Sequence, residues 1–301
     1  MGNKKEQDYR AVLAASGAVL LWCWSGVCFR EGAELMGAMV YLTFITGGGA
    51  ITALLIQMFS GRPLASIYRL PRRMMVAGFF GVALYTVMLA TAFGIAPNSD
   101  LGQINLLNYI WPVWVVVFGM ILLKDRPNPY LAVLGIVLGL LGVMISRGLT
   151  QIFQLPDNLL APFLALAGGI MWACYSVLLR RWKIPEDQGG TAFNFAVCAV
   201  VAGLIALYLD QWQNMPAWTM KMAFWVLFGS IGPVGLAYSW WEIGAKKGPV
   251  FLIASLAYFI PIGSSLIIGL IYEESMNSGL IFGAVLIAMG AWVINRACTQ
   301  N

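Results

Sequence analysis

Histidine is absent from the 301 residues, and charged side chains of all kinds make up 10% of them. A soluble domain carries about 25% charged residues, so this chain cannot dress a water-facing surface. The five cysteines (Cys23, Cys28, Cys174, Cys198, Cys298) form no C-x-x-C pair. Without histidine the usual zinc and haem ligand sets are missing, and no metal or cofactor is expected. The cysteines read as small apolar residues inside helices. No GxxxxGK[ST] phosphate-binding run occurs, so no use of ATP is expected. No basic stretch has the length or aromatic interleaving of a nucleic-acid binder, so the net charge of +5 does not point to nucleic acid.

What is present is apolar: 60% of the residues are hydrophobic and the mean hydropathy is +0.79. The polar start, MGNKKEQDYR, runs directly into a full-length apolar segment, unlike a cleaved signal with its short core and small-residue cleavage site. Glu6 stands where a myristoylation signal needs Ser or Thr, so Gly2 is not expected to be acylated. A spanning helix needs about 20 apolar residues. Candidates lie at 11–29, 36–59, 74–96, 101–123 and 130–146, then at 159–179, 191–209, 222–241, 249–272 and 278–295. The expected fold is all-α and integral to the membrane, with ten transmembrane helices, short connectors and membrane lipid around it.

Positive charge gives the orientation, because cytoplasmic loops collect Lys and Arg. With the N-terminus inside, 15 of the 18 basic residues fall on the cytoplasmic side, leaving only Arg30, Arg147 and Lys221 outside. Both termini are then cytoplasmic.

The chain also repeats itself. Residues 101–147 lie over 250–296 without a gap, so that Leu107 matches Leu256, Tyr109 matches Tyr258, Pro112 matches Pro261 and Asn128 matches Asn277. Nearer the start of each half the offset becomes two residues longer, placing Cys23-Trp24-Ser25 over Cys174-Tyr175-Ser176. The expected division is a cytoplasmic segment at 1–10, a first five-helix repeat at 11–147, a linker at 148–158 and a second repeat at 159–297. Five spans is an odd number, so the halves enter the membrane in opposite senses, as in many secondary transporters.

Several polar and aromatic residues lie deep in these spans. Asn105, Asn108, Tyr109 and Pro112 share one helical face, with Trp111 flanking it. Pro112 and Pro261 lack an N–H and so free the carbonyls of Asn108 and Ala257. These are candidate hinges beside a wet, substrate-sized space; the plainer alternative is that both prolines merely curve their helices. Trp172, Tyr175 and Ser176 are spaced i, i+3, i+4, as are Trp22, Ser25 and Gly26. Tyr85 lies mid-span, Tyr238 and Trp241 sit three apart, and Tyr258 is the repeat partner of Tyr109. Trp22, Tyr85, Tyr109, Trp111 and Trp172 are too deep for an interfacial aromatic belt, so they are candidate lining residues. Trp182, Trp212 and Trp218 stand at span ends and read as interface anchors. Asp100 and Glu242 are the carboxylates closest to the spans, and both are expected at the interface.

With these residues in hand, NYIWP (108–112), GLAYSWW (235–241) and AYFIP (257–261) make the chain resemble the drug/metabolite transporter superfamily, specifically its aromatic amino acid exporter branch of the YddG type. The resemblance implies a basket of ten helices, in the manner of EamA proteins, around a central cavity. It also implies export of Phe, Tyr, Trp and related solutes, and aromatic walls that here fall on Tyr85, Tyr109, Trp111 and Trp172. Aromatic rings would stack the substrate's ring. Its charged head would rest on neutral groups such as Asn105, Asn108, Ser176 and Ser255.

Intramembrane carboxylates mark proton relays, and none is expected at mid-depth, so alternating access driven by the substrate gradient is the expectation. The alternatives are export of other neutral amino acids or amphipathic metabolites and drugs with proton coupling and, from another class, an intramembrane transferase or a structural subunit. Gly135, Gly139 and Gly142 lie over Ala284, Ala288 and Ala291 in the repeat. Such small-residue faces pack helices together in membranes. A monomer packed within itself is expected; a dimer contact is the alternative.

Overall fold

The structure is a computed structural model, and it describes residues 2–61, 63, 70–96, 104, 107–123, 128–147, 159–184, 190–272 and 278–299. Among the described residues every regular element is a helix. In hydrocarbon a helix satisfies its own backbone hydrogen bonds, and an open strand cannot. The helices are α1 (Gly2–Trp22), α2 (Ser25–Met36), α3 (Ala38–Phe59), α4 (Arg72–Ile95), α5 (Trp111–Leu123), α6 (Pro129–Arg147), α7 (Leu160–Arg181), α8 (Thr191–Tyr208), α9 (Met220–Lys247), α10 (Val250–Leu256), α11 (Phe259–Tyr272) and α12 (Ser278–Thr299).

Seven helical stretches are long and apolar enough to cross a membrane: Tyr9–Met36, Ala38–Phe59, Arg72–Ile95, Leu160–Arg181, Thr191–Tyr208, Met220–Lys247 and Phe251–Ile271. Three more apolar helices, Trp111–Leu123, Pro129–Ile145 and Val285–Ile294, are shorter over the described residues. Their outward faces carry bare Leu13, Leu134, Phe163, Leu204, Phe224 and Phe282. A surface like this is stable against lipid tails and not against water. The chain is a multi-pass membrane protein.

Two departures from the sequence reading shape the interior. The polar segment 1–10 is helical from Gly2 and continuous with the first span. That span then breaks at Cys23–Trp24, where the Trp24 N–H reaches back only three residues to the Leu21 carbonyl. The eighth span runs on to Lys247 instead of ending at Trp241, which carries Glu242 into the helix. Lys246 and Lys247 in its last turn suit the negative end of the helix dipole.

The prolines also act differently from the kinks expected of them. Pro112 is the second residue of α5, in a first turn that has no backbone donor to lose. The break comes earlier, at Tyr109–Ile110, where Ile110 donates to Leu107 at 3.3 Å and Val113 to Ile110 at 2.9 Å. The break between α10 and α11 falls at Ala257–Tyr258, with the same three-residue bonds, and Pro261 is the third residue of α11.

Three π segments among the described residues were not visible in the hydropathy. One, Phe79–Leu84, interrupts α4, a second, Ser230–Leu236, interrupts α9, and a third, Gly119–Leu123, ends α5. Gly78 and Gly81 bracket the start of the first, and Gly229 and Gly232 that of the second. Such bulges add a residue to a turn and turn the following face around the axis. Pro233 sits inside the second, and its carbonyl accepts the indole N–H of Trp22 at 3.1 Å.

Packing pairs α3 with α8, α6 with α12, α7 with both α4 and α5, and α1 with α9. Close approach depends on small residues. A Cβ on Gly290 would lie 2.6 Å from the Gly135 carbonyl oxygen, and one on Gly142 would lie 2.7 Å from that of Gly283. The glycine face of α6 is therefore used inside the molecule, against α12. Gly37, at φ +87°, separates α2 from α3, and the Gln211 side chain caps α3 by accepting from the Met39 N–H at 2.9 Å.

Candidate functional site

The breaks and bulges bring one ring cluster together, with Trp172 of α7 at its centre. Trp172 lies within 6.1 Å, centroid to centroid, of Trp111 and Trp241, and closer to Trp22 (5.9 Å), Tyr85 (5.7 Å), Tyr175 (6.0 Å) and Tyr238 (5.2 Å). Tyr85 is stacked on it, whereas Trp22, Trp111 and Tyr238 meet it edge-on. Both geometries satisfy the ring quadrupoles. Further edges join Trp22 to Tyr238 at 5.1 Å and Trp111 to Trp241 at 5.2 Å. Five helices contribute: α1, α4, α5, α7 and α9.

Hydrogen bonds fix several of these rings. Trp241 donates its indole N–H to the Ser176 hydroxyl at 3.3 Å, and Asn194 donates its side-chain N–H to the Tyr175 hydroxyl at 3.3 Å. Phe195 closes one flank, 4.7 Å from Tyr238. Where α4 passes α7, a Cβ on Gly81 would overlap that of Tyr175, so only glycine lets the two helices meet there.

Of the candidates read from sequence, Trp22, Tyr85, Trp111, Trp172, Tyr175 and Tyr238 meet in this cluster, with Ser176 bonded to its edge. Tyr109 is half-buried and packs against the same core. Asn108 is buried beside Trp111 and α7, and its side-chain oxygen accepts no hydrogen bond. Its main-chain carbonyl faces Gly169, where a Cβ would stand 3.3 Å away. Tyr258 lies elsewhere, in a separate apolar cluster with Val143, Ile262 and Ile287, over Gly139. The repeat match with Tyr109 does not carry it to the rings. Asn105 and Asp100 lie outside the described residues, as does the linker 148–158.

Sequence reasoning undervalued Trp241, which is 1% exposed and touches three rings of the cluster. Glu242, expected at the interface, is buried within the protein. The Glu242 side chain is 8% exposed, and its carboxylate is 2.7 Å from the Lys246 ammonium, itself 6% exposed. The same carboxylate accepts from the Gly190 N–H at 3.1 Å and the Thr191 hydroxyl at 2.7 Å, at the start of α8. An i, i+4 partner on its own helix is what makes this depth tolerable.

Between the rings and this carboxylate lies a small cavity lined by Val82, Trp172, Tyr175, Leu179, Thr191, Phe195, Tyr238, Trp241 and Glu242. About 10 Å³ of it is open to the centre of a water molecule, room for about one water. At this place the described rings pack on one another, and they must part before an amino acid could lie among them.

Other aromatics have different tasks. Trp24 packs on Phe228, Trp212 and Trp218 both meet Phe44, and Arg73 stands 5.2 Å over Trp182. Trp212 is tied down further by its N–H to the Gly203 carbonyl at 3.0 Å. Cys23, Cys28 and Cys198 are buried free thiols. Among the described residues no group of histidine, cysteine and acidic side chains could hold a metal ion.

This chain is similar over nearly its whole length to known transporters. It is 29% identical over 287 residues to a protein of Ancylobacter novellus named aromatic amino acid exporter YddG, covering 94% of this chain and 96% of the relative. Proteins of the same name in Salmonella typhimurium and Escherichia coli are 26% and 24% identical, each covering 95% of this chain and 98% of the relative. A solved crystal structure at 26% identity has the same fold, with a TM-score of 0.80 over 96% of this chain and 97% of that one. The profile of the EamA-like transporter family matches twice, at residues 9–148 and 159–296. These relatives are transporters and not enzymes, and the chain belongs to the EamA-like transporter family, on the YddG side of the drug/metabolite transporter superfamily.

Proposed function

We propose that this protein exports aromatic amino acids across the bacterial inner membrane by alternating access. The observation that carries the reading is the Trp172 cluster, to which Trp22, Tyr85 and Trp111 come from one half of the chain and Trp172, Tyr175, Tyr238 and Trp241 from the other. Rings that now stack on one another can instead stack on a substrate ring, each pair contributing about 0.5–1.5 kcal/mol beyond area. Motion of one half against the other would open that exchange to either side in turn. The three relatives named as aromatic amino acid exporters support the cargo.

The architecture that goes with this is ten spans in two inverted repeats, 11–147 and 159–297, joined by 148–158, with both termini cytoplasmic. The double family match and the pairing of α3 with α8 and α6 with α12 support it. The breaks before Pro112 and Pro261 are the proposed bending points, in a protein that works as a monomer. The test is uptake of labelled Phe, Trp, Leu and Thr into proteoliposomes of purified protein. Phe and Trp are expected to enter faster than Leu and far faster than Thr; Thr uptake equal to Phe overturns the aromatic reading.

A further inference from the structure

A buried hydrogen-bond acceptor with nothing to accept needs a reason. The side-chain oxygen of Asn108 is such a group: the residue is 6% exposed, and this oxygen has no donor within reach. An acceptor left bare at this depth costs the fold its desolvation with no bond in return. The amide nitrogen has a use, since the side chain stands against the Tyr85 hydroxyl as a donor. The oxygen serves nothing while the rings are packed. Of the other neutral groups suggested for a substrate's head, Ser176 already accepts from the Trp241 indole, and Ser255 donates to the Leu252 carbonyl at 2.7 Å.

Its position ties it to the rings. A Cβ on Gly169 of α7 would lie 3.4 Å from the Trp111 Cβ and 3.9 Å from the bare Asn108 oxygen. Gly169 precedes Trp172 by three residues, about 4.5 Å along the helix axis and on the same face. Trp111 and Tyr85, which neighbour Asn108, are both rings of the Trp172 cluster. In an aromatic amino acid two carbons separate the ring from the ammonium, a reach comparable to that offset. Asn108 also stands directly before the break at Tyr109–Ile110, so a bend there changes the spacing between its oxygen and the Trp111 ring. We propose that the Asn108 side-chain oxygen receives the substrate's α-ammonium while the substrate's ring lies against Trp172. An ammonium brings both N–H donors and a charge, and charge-assisted hydrogen bonds are the stronger kind. A solute without the ammonium leaves the oxygen as bare as before and gains nothing from it. The inference rests on the proposed aromatic amino acid cargo and names the residue that reads its amino group.

The experiment is inhibition of labelled Phe uptake in proteoliposomes by three unlabelled solutes. Phe and 2-phenylethylamine carry the ammonium, and 3-phenylpropionate lacks it. Asn108→Leu keeps the volume of the side chain and removes the oxygen. Inhibition by Phe and by the amine is expected to weaken about tenfold, and inhibition by the acid by less than about twofold. Gly169→Ala is a second variant that leaves Asn108 itself in place. Alanine suits a helix better than glycine, and its methyl group crowds the same oxygen. Phe and the amine are expected to weaken about threefold relative to the acid. In Asn108→Leu, no loss, an equal loss for all three solutes or a loss confined to the acid overturns the proposal. Where that variant is not recovered folded or takes up no Phe, an unchanged ratio of amine to acid in Gly169→Ala overturns it. Absence of Phe uptake in the unaltered protein is seen before any analogue is added, and it overturns the cargo reading and this inference with it.

Discussion

Trp172 has six aromatic neighbours, and its 2% exposure leaves it no second environment. Trp172→Ala removes the hub and leaves a hole. A loss of about 3–5 kcal/mol is expected, read as a lower unfolding temperature in detergent, together with weaker Phe uptake. Trp172→Phe keeps a ring and is expected to lose less of both. Tyr258 makes the opposite case. Its hydroxyl is buried without a hydrogen-bond partner in an apolar cluster, so Tyr258→Phe is expected to leave stability unchanged or slightly raised, with transport unaltered. The sequence suggested both residues for the same reason, an aromatic deep in a span. Helical spacing did identify Trp172, Tyr175 and Ser176 as neighbours on one face, and these three do sit together. It had no means of telling that Tyr258 faces α6, because a span's rotation about its own axis is decided by what packs on it. Glu242 was hidden differently. A hydropathy window ends at the first charge, and the compensating Lys246 lies one turn further along.

At the scale of elements, the described helices lie where spans were expected, although some end six or seven residues later, whereas breaks inside spans were not legible. Breaks at Cys23–Trp24 and Tyr109–Ile110 and π segments at Phe79–Leu84 and Ser230–Leu236 leave no mark on hydropathy. The last two shift every residue after them to a new face. The glycines were legible as packing residues, although their partner was not. The α6–α12 contact depends on backbones touching: a Cβ on Gly290 would lie 2.6 Å from one backbone oxygen and 2.8 Å from one backbone nitrogen. Backbone cannot swing aside as a side chain can. Gly290→Ala is therefore expected to force the two helices apart and cost about 1–3 kcal/mol, measured by thermal unfolding. The Trp172 cluster contains no residue of α6 or α12, so the ratio of Phe to Thr uptake should stay as it was.

The charges of the whole molecule bear on what drives transport. No free carboxylate was expected inside the membrane, and this argued for a substrate-driven carrier; the burial of Glu242 reopens the question. Proton relays use acidic groups that gain and lose a proton across the cycle. Glu242 is held instead in a neutral pair with Lys246, under two further donors from Gly190 and Thr191. Protonating it would break the pair with Lys246, at the cost that attends any broken buried pair. An amino acid zwitterion carries no net charge and requires no proton to balance it. The expected behaviour is therefore facilitative. With equal Phe gradients, proteoliposomes bearing an inward, an outward or no proton gradient should take up Phe at the same initial rate, and a membrane potential should leave that rate unchanged. A rate that follows the proton gradient while the Phe gradient is fixed would mean that Glu242 does exchange its proton.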